Sequence, residues 1–297
     1  MLTDEELQTY RQAGKLLAEV REEVRKLVKP GEPLLNIAER AEELIMQKGA
    51  RPAFPCNVSV NQIAAHYSPP AGDGTKVNEG DLVKVDIGAH LNGYIADTAF
   101  TVDTGGGGEM VRVVEQVLEE AIKTVKPGID LGVIGEVVEK TATEAGFKPI
   151  RNLTGHSLAR WNLHAGLTVP NVRETTGQEL KVGDVVAIEP FITDGAGFVE
   201  DQPKVYIFRY IQDRPVRLRI TREMLRDIKR LYNNLPFAER WLAKGRSKLR
   251  LELTLRELVS VGALYPYHVL KERADGKVAQ AEHTIIVTEQ GCEVITR

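Results

Sequence analysis

Leu7, Tyr10, Gly14, Leu17, Val20, Val24 and Leu27 recur every three or four residues, the spacing of a helix that buries one stripe. Thr3-Asp4-Glu5-Glu6 precedes that stripe and fits a capping box, with a hydroxyl for an early N–H and a carboxylate reaching back. The charges Arg21, Glu22, Glu23, Arg25 and Lys26 fall off the stripe and are expected to face solvent. Val28-Lys29-Pro30-Gly31 then stops the helix. Elsewhere the period drops to that of strands: β-branched runs at 82–86 and 185–189 each follow a Gly-Asp turn signal.

These patterns occur twice. The VKPG of 28–31 returns at 125–128, 97 positions on, and at that offset Leu34 meets Leu131, Ile37 meets Ile134, Glu42 meets Glu139 and Gly49 meets Gly146. A turn, an amphipathic helix and a closing glycine are thus expected in each half. A second match pairs Gly80-Asp81 with Gly183-Asp184 at an offset of 103, so six residues were gained between the two blocks. The strand after each turn ends on an acid, Asp86 in one half and Glu189 in the other. A twofold fold brings equivalent positions to a shared axis, where two carboxylates repel unless a cation lies between them.

Asn92-Gly93 is a hairpin signal, and the return strand carries Asp97, 11 residues after Asp86. The matching acid of the second half is Glu282, 93 residues after Glu189, which leaves about 82 residues inserted in that loop. The insertion contains helical text, TREMLRDIKRLYNNL and LTLRELVSVGAL, and is expected to form a small subdomain over 199–267. Residues 1–198 and 268–297 then form the main domain, an α+β architecture with an internal pseudo-twofold repeat.

Composition narrows the function classes. With 297 residues, 42% hydrophobic and 27% charged, the chain has the balance of a globular protein, and a net charge of -3 argues against strong nucleic-acid binding. No apolar run approaches the roughly 20 residues of a membrane helix, and the acidic start lacks a secretion signal core. Cys56 and Cys292 are too few for a disulfide framework, and with no export signal a cytoplasmic protein with reduced thiols is expected. A monomer is the expected state.

The candidate chemistry lies in acids and histidines. Of six histidines, His156 and His164 sit in NLTGHSLARWNLHAG, and His66 lies 98 positions before His164, near the repeat offset. His90 and His268 read as ordinary structural residues, and His283, beside Glu282, faces the other side of its strand. Asp86, Asp97, Glu189 and Glu282 carry four negative charges and His156 adds a neutral nitrogen. Two divalent ions cancel that charge, and the oxygen-rich set suits Mn, Fe(II), Co or Zn. Such an ion pair activates water and polarises a carbonyl, which suits amide or ester hydrolysis.

At these residues the chain resembles the type 2 methionine aminopeptidase family, in an archaeal-like form without a charged N-terminal extension. FPCNVSVNQIAAHYSP, VDIGAHLNGYIADTAFTV, NLTGHSLARWNLHAG, AIEPF and AQAEHTIIV carry the resemblance, which spans essentially the whole chain. It implies a pita-bread fold with an inserted winged-helix-like subdomain, and removal of initiator methionine from nascent chains. It further implies that Asp86 chelates one ion, Asp97 and Glu282 bridge both, and His156 and Glu189 hold the second, Glu189 also shuttling a proton. His164 is then the donor to the scissile carbonyl, and His66 touches the amide being cut. The methionine pocket is expected from Phe54, Leu163, Phe191 and Tyr267, with His66 and His164 on its rim. In the insertion, RPVRLRITR and KGRSKLRLE are basic, but a subdomain that walls the pocket through Tyr267 is the favoured reading over one that binds nucleic acid. Ribosome docking, tied in the family to the extension, is left open.

Two alternatives stand beside this reading. One is a proline-specific relative, an X-Pro aminopeptidase or prolidase, although those carry an extra N-terminal domain and only 85 residues precede Asp86. The other is a non-catalytic pita-bread binding protein, which the full set of five acid and imidazole candidates disfavours.

Overall fold

The computed structural model describes residues 2–297. Helices α1 (Asp4–Arg25) and α2 (Leu34–Gln47) lead into β1 (Arg51–Val60), β2 (Ile63–Ala65), β3 (Leu82–Leu91) and β4 (Tyr94–Asp103). Helices α3 (Glu109–Thr124) and α4 (Leu131–Glu144) open the second half, followed by β5 (Lys148–Pro149), β6 (Thr154–Ser157), β7 (Thr168–Pro170), β8 (Val185–Ile188), β9 (Phe191–Thr193) and β10 (Val199–Tyr210). The insertion continues with α5 (Arg219–Tyr232), β11 (Phe237–Ala238), α6 (Glu239–Ala243) and α7 (Lys248–Ser260). The chain closes with β12 (Leu264–Glu272), β13 (Val278–Gln280), β14 (Glu282–Val287) and β15 (Cys292–Val294).

The capping box forms: the Glu6 N–H donates to Thr3 Oγ1 at 3.3 Å, and the Thr3 N–H donates to Glu6 Oε2 at 2.8 Å. The expected stripe turns inward, with Tyr10, Leu17, Val20 and Val24 fully buried. Arg21 departs from expectation. Its guanidinium donates to the Thr296 carbonyl at 2.8 Å, because the end of the chain packs across α1 and brings an acceptor to that face.

The duplication is visible bond by bond. In the first half the Gly31 N–H donates to the Val77 carbonyl and the Leu34 N–H to that of Thr75. In the second half the Gly128 N–H donates to Leu180 and the Leu131 N–H to Gln178, so both pairs recur at the 97 and 103 offsets. The closing glycines Gly49 and Gly146 both adopt φ 84°, a left-handed value that lets each helix end in a tight turn.

The main sheet has eight strands in the order β1-β3-β4-β14-β8-β6-β7, with β15 on β14. Outward from the β4/β14 seam, β3 on one side matches β8 on the other, which is the pseudo-twofold arrangement. Helices α1 and α2 cover the first half around Leu17, Ile37, Val58 and Val85. Helices α3 and α4 cover the second around Val117, Ile134, Val186 and Ile285. At the seam β14 and β4 share only two register pairs, Glu282 with Ala99 and His283 with Thr98. Hydroxyls continue the join: Thr98 Oγ1 donates to the Glu282 carbonyl at 2.8 Å, and Thr101 Oγ1 to that of Gln280 at 2.6 Å.

The insertion has its own apolar core, including Phe208, Met224, Ile228, Phe237, Leu251 and Leu258. It is tied to the body by a β10/β12 ladder that runs from Tyr210 opposite Leu264 to Val199 opposite Glu272, beyond Tyr267. β12 also pairs β2, Leu270 against Ala65, which carries the ladder to the doorstep of His66. Among the described residues no helix is long and apolar enough to cross a membrane.

Candidate active site

The hairpin β3–β4 closes at Leu91 opposite Tyr94, around Asn92 at φ 52° and Gly93 at φ 91°, the left-handed pair that a tight two-residue hairpin needs. Its pairing sets Gly88 opposite Asp97 and Asp86 opposite Ala99, so both acids point to one face. Glu282 starts β14 beside Ala99, and Glu189 follows the last residue of β8. His156 on β6 lies opposite Ala187. The seam between the halves therefore gathers four acids and an imidazole from five segments.

All eleven expected site residues line one cavity of about 270 Å³. One ligand atom each from Asp97, His156 and Glu282 lies within 4.8 Å of the others. His156 Nε2 stands 3.4 Å from Glu189 Oε1 and 3.7 Å from Asp97 Oδ2. Asp86 borders the same space.

Several oxygens of this cluster lack protein partners. Asp86 Oδ1, Asp97 Oδ1 and Glu282 Oε1 are buried with no hydrogen bond, and His156 turns its Nε2 toward the same acids. Native proteins leave few buried polar atoms unsatisfied, and three carboxylate oxygens at one spot mark a place built for a ligand. Burial raises the Asp86 pKa to about 7. It also pushes Asp97 and Glu282 well above the usual carboxylate range, and the neighbouring acids add to that. Glu189 is raised in the same way by burial and by Asp86. Burial lowers His156 to about 4, which keeps its ring neutral and able to coordinate. Hard, crowded and mutually repelling donors fit divalent cations, which remove the repulsion without protonating the acids.

Two histidines stand across from this cluster. His164 packs edge-on to His156 with ring centroids 4.5 Å apart. Burial by the walls lowers its pKa, and His156, His66 and Arg209 nearby act in the same direction. His66, at φ 63°, pairs its Nδ1 with the His268 carbonyl at 3.0 Å. A carbonyl only accepts, so Nδ1 carries the proton and Nε2 of the neutral ring is an acceptor. Burial lowers the His66 pKa and favours that form. Tyr267 stands edge-on to His66 at 5.3 Å.

Phe54, Leu163, Phe191 and Tyr267 supply the apolar walls. The Phe54 ring lies where a Cβ on Gly88 would be, so the glycine of VDIGAH leaves room for that wall. The other histidines fall elsewhere. His90 Nδ1 accepts from the Gly93 N–H at 3.1 Å, His268 Nδ1 meets the Gln202 carbonyl at 2.8 Å, and His283 Nδ1 meets Thr296 Oγ1 at 2.9 Å on the opposite face of β14.

Several residues in or beside the cavity carry no sequence signal of their own. Gln280, two residues before Glu282, reaches Glu189 Oε2 with its Nε2 at 3.4 Å, and its side chain also lowers Asp86. Asn57, paired with Asp86 across β1 and β3, keeps its buried Oδ1 unpartnered. Ile207, Pro236 and Tyr265 of the insertion complete the rim.

Known proteins resemble this chain over almost its full length. The model of metallopeptidase family M24 matches residues 8–289. A methionine aminopeptidase of Methanothermobacter thermautotrophicus is 47% identical over 98% of each chain. One from Thermococcus onnurineus is 49% identical over 96% of this chain and 97% of its own. The solved methionine aminopeptidase of Thermotoga maritima superposes with a TM-score of 0.74 at 28% identity, covering 100% of this chain and 98% of that one.

Proposed function

Because the chain belongs to metallopeptidase family M24 and is a metal-dependent hydrolase that removes initiator methionine, we propose how its residues divide that work. The observation that carries the proposal is the set of three orphaned, buried carboxylate oxygens, with His156 Nε2 beside them, inside a cavity with aromatic walls. Asp86, Asp97, His156, Glu189 and Glu282 are the ligands of two divalent ions, of which Mn, Fe(II), Co and Zn suit the donor set. Bound there, the ions supply Lewis acidity to water and to the scissile carbonyl.

The protein's own groups do the rest. Phe54, Leu163, Phe191 and Tyr267 enclose the thioether side chain, with sulfur–aromatic contacts of about 0.3–1.5 kcal/mol. Asp86 and Asp97 lie where the free α-amine of the substrate enters, which restricts cutting to chain ends. His66 Nε2 accepts from the N–H of the amide to be cut and holds its plane. His164, neutral at working pH, donates to the oxyanion that develops on the carbonyl. Glu189 takes a proton from the attacking water and passes it to the departing amine, the role of a carboxylate held beside the reacting groups. Residues 199–267 act as an inserted subdomain of the 1–198 and 268–297 body and close one side of the pocket. Nascent chains in the cytoplasm, met at the ribosome, are the setting in which such N-termini arise.

The test is a pair of peptides. After chelation and readdition of each ion, the chain is expected to cleave Met-Ala-Ser and to spare an X-Pro dipeptide. Cleavage of the proline substrate alone would point to a prolidase-like enzyme, and no hydrolysis with any of the ions to a non-catalytic protein.

A further inference from the structure

The insertion is bolted to the first repeat at one buried point, close to the pocket but outside it. Arg240 on α6 forms an ion pair with Glu42 on α2, and the two are 8% and 6% exposed, so water does not dilute the contact. Trp241 Nε1 donates to the other Glu42 oxygen at 2.8 Å. Both partners also hold backbone that leads directly into the site.

Glu42 Oε1 accepts from the Cys56 N–H at 3.0 Å. That bond replaces a ladder bond, and β1 loses register with β3 between Phe54 and Asn57. The resulting bulge aims both Phe54 and Asn57 into the cavity. Arg240 Nη1 donates to Ser68 Oγ, and Ser68 Oγ in turn donates to the Cys56 carbonyl at 2.9 Å. Ser68 lies two residues after His66, whose φ of 63° is unfavourable for a side chain with a Cβ and must be held by its surroundings.

The repeat offers an internal control. Glu139, the counterpart of Glu42, accepts from the Arg173 N–H at 2.9 Å near the surface and meets no part of the insertion. Burial of this acid therefore belongs to the half that the insertion covers.

We infer that Glu42, Arg240 and Ser68 form a latch that positions His66 and the Phe54–Asn57 bulge against the insertion's wall, and so sets both turnover and the choice of methionine. The inference rests on the roles given above to His66 and Phe54. None of the three touches substrate; they are positioning residues. The latch makes specificity depend on docking of the insertion, since Ile207, Pro236, Tyr265 and Tyr267 reach the cavity only from that side.

The experiment compares Met-Ala-Ser with Leu-Ala-Ser in the full-length, metal-loaded chain. Arg240→Lys keeps the charge beside Glu42 but loses the fork to Ser68, and Ser68→Ala keeps the ion pair but cuts the link to the His66 turn. Each is expected to lower kcat on Met-Ala-Ser about ten-fold, the effect of roughly 1.4 kcal/mol of misalignment, and to narrow the preference for Met over Leu. A merely structural role would reduce the folded fraction, scale both substrates alike and leave that preference unchanged. Parent-like kcat per folded molecule and parent-like preference in Ser68→Ala, which is the variant least able to unfold the chain, would overturn the latch while leaving the aminopeptidase reading intact. A parent chain that cleaves neither peptide with any ion would remove that reading and the latch's role with it.

Discussion

At the scale of single residues, the site is a contest between burial and charge. Burial raises each of the four carboxylates and lowers His156, so the protein presents donors that are uncomfortable alone. His164 differs from these, because it is a neutral donor outside the acid cluster. His164→Ala should therefore fold with an unchanged melting temperature and still bind metal. Its kcat should fall by about 10²–10³, the usual loss when an oxyanion donor is removed, with KM little altered. Steady-state kinetics on Met-Ala-Ser decides this, and a fully active variant would take His164 out of the mechanism. The acids stood out in the sequence because the repeat and the hairpin signal place them on strands, and His156 because it lies in NLTGHSLARWNLHAG, a stretch that carries the family resemblance. Gln280 and Asn57 did not, since an amide in a strand is ordinary until its neighbours are known.

At the scale of elements, local rules carry far. The capping box and the stripe of α1 follow from side-chain spacing, and Asn92-Gly93 closes its hairpin because both residues tolerate positive φ. Gly14 illustrates where propensity and packing disagree. Alanine in its place gains about 1 kcal/mol of helix propensity. Its Cβ, however, would overlap the Ile295 carbonyl, and overpacking against backbone costs about 1–3 kcal/mol. Gly14→Ala is expected to lower stability by roughly 1 kcal/mol in urea unfolding. Equal or greater stability would show that the chain end yields without cost. The same crossing explains Arg21, whose charged face looked solvent-bound until the last residues of the chain supplied an acceptor.

At the scale of the whole molecule, the two halves and the cations depend on each other. In the metal-free chain a carboxylate whose folded pKa lies above its unfolded value contributes stability that is complete below about pH 4 and is lost as pH rises through the folded pKa. For Asp86 that window is about 4 to 7, and for Asp97, Glu189 and Glu282 it begins at the same end. His156, lowered to about 4, acts oppositely, but only between that value and its ordinary 6.5. A divalent ion competes with protons for these ligands. The rise in melting temperature on adding Mn(II) should accordingly be larger at pH 8 than at pH 5.5. Groups away from the site titrate alike with and without the ion, so the difference isolates the ligands. A pH-independent shift in scanning calorimetry would mean that the ion binds elsewhere.

Legible along the chain were the duplication, α1, the helix after each VKPG, the strands that lead to Asp86 and Glu189, and the hairpin whose return strand carries Asp97. Those properties depend on spacing along the chain, which a linear text records in full. The tertiary structure decided how wide the seam opens, that Ile207, Pro236 and Tyr265 reach the pocket, and that Arg240 finds Glu42 across 198 positions. Such contacts join segments with no common period. Only the packing of the insertion against the first repeat brings them within reach, and no local preference encodes that meeting.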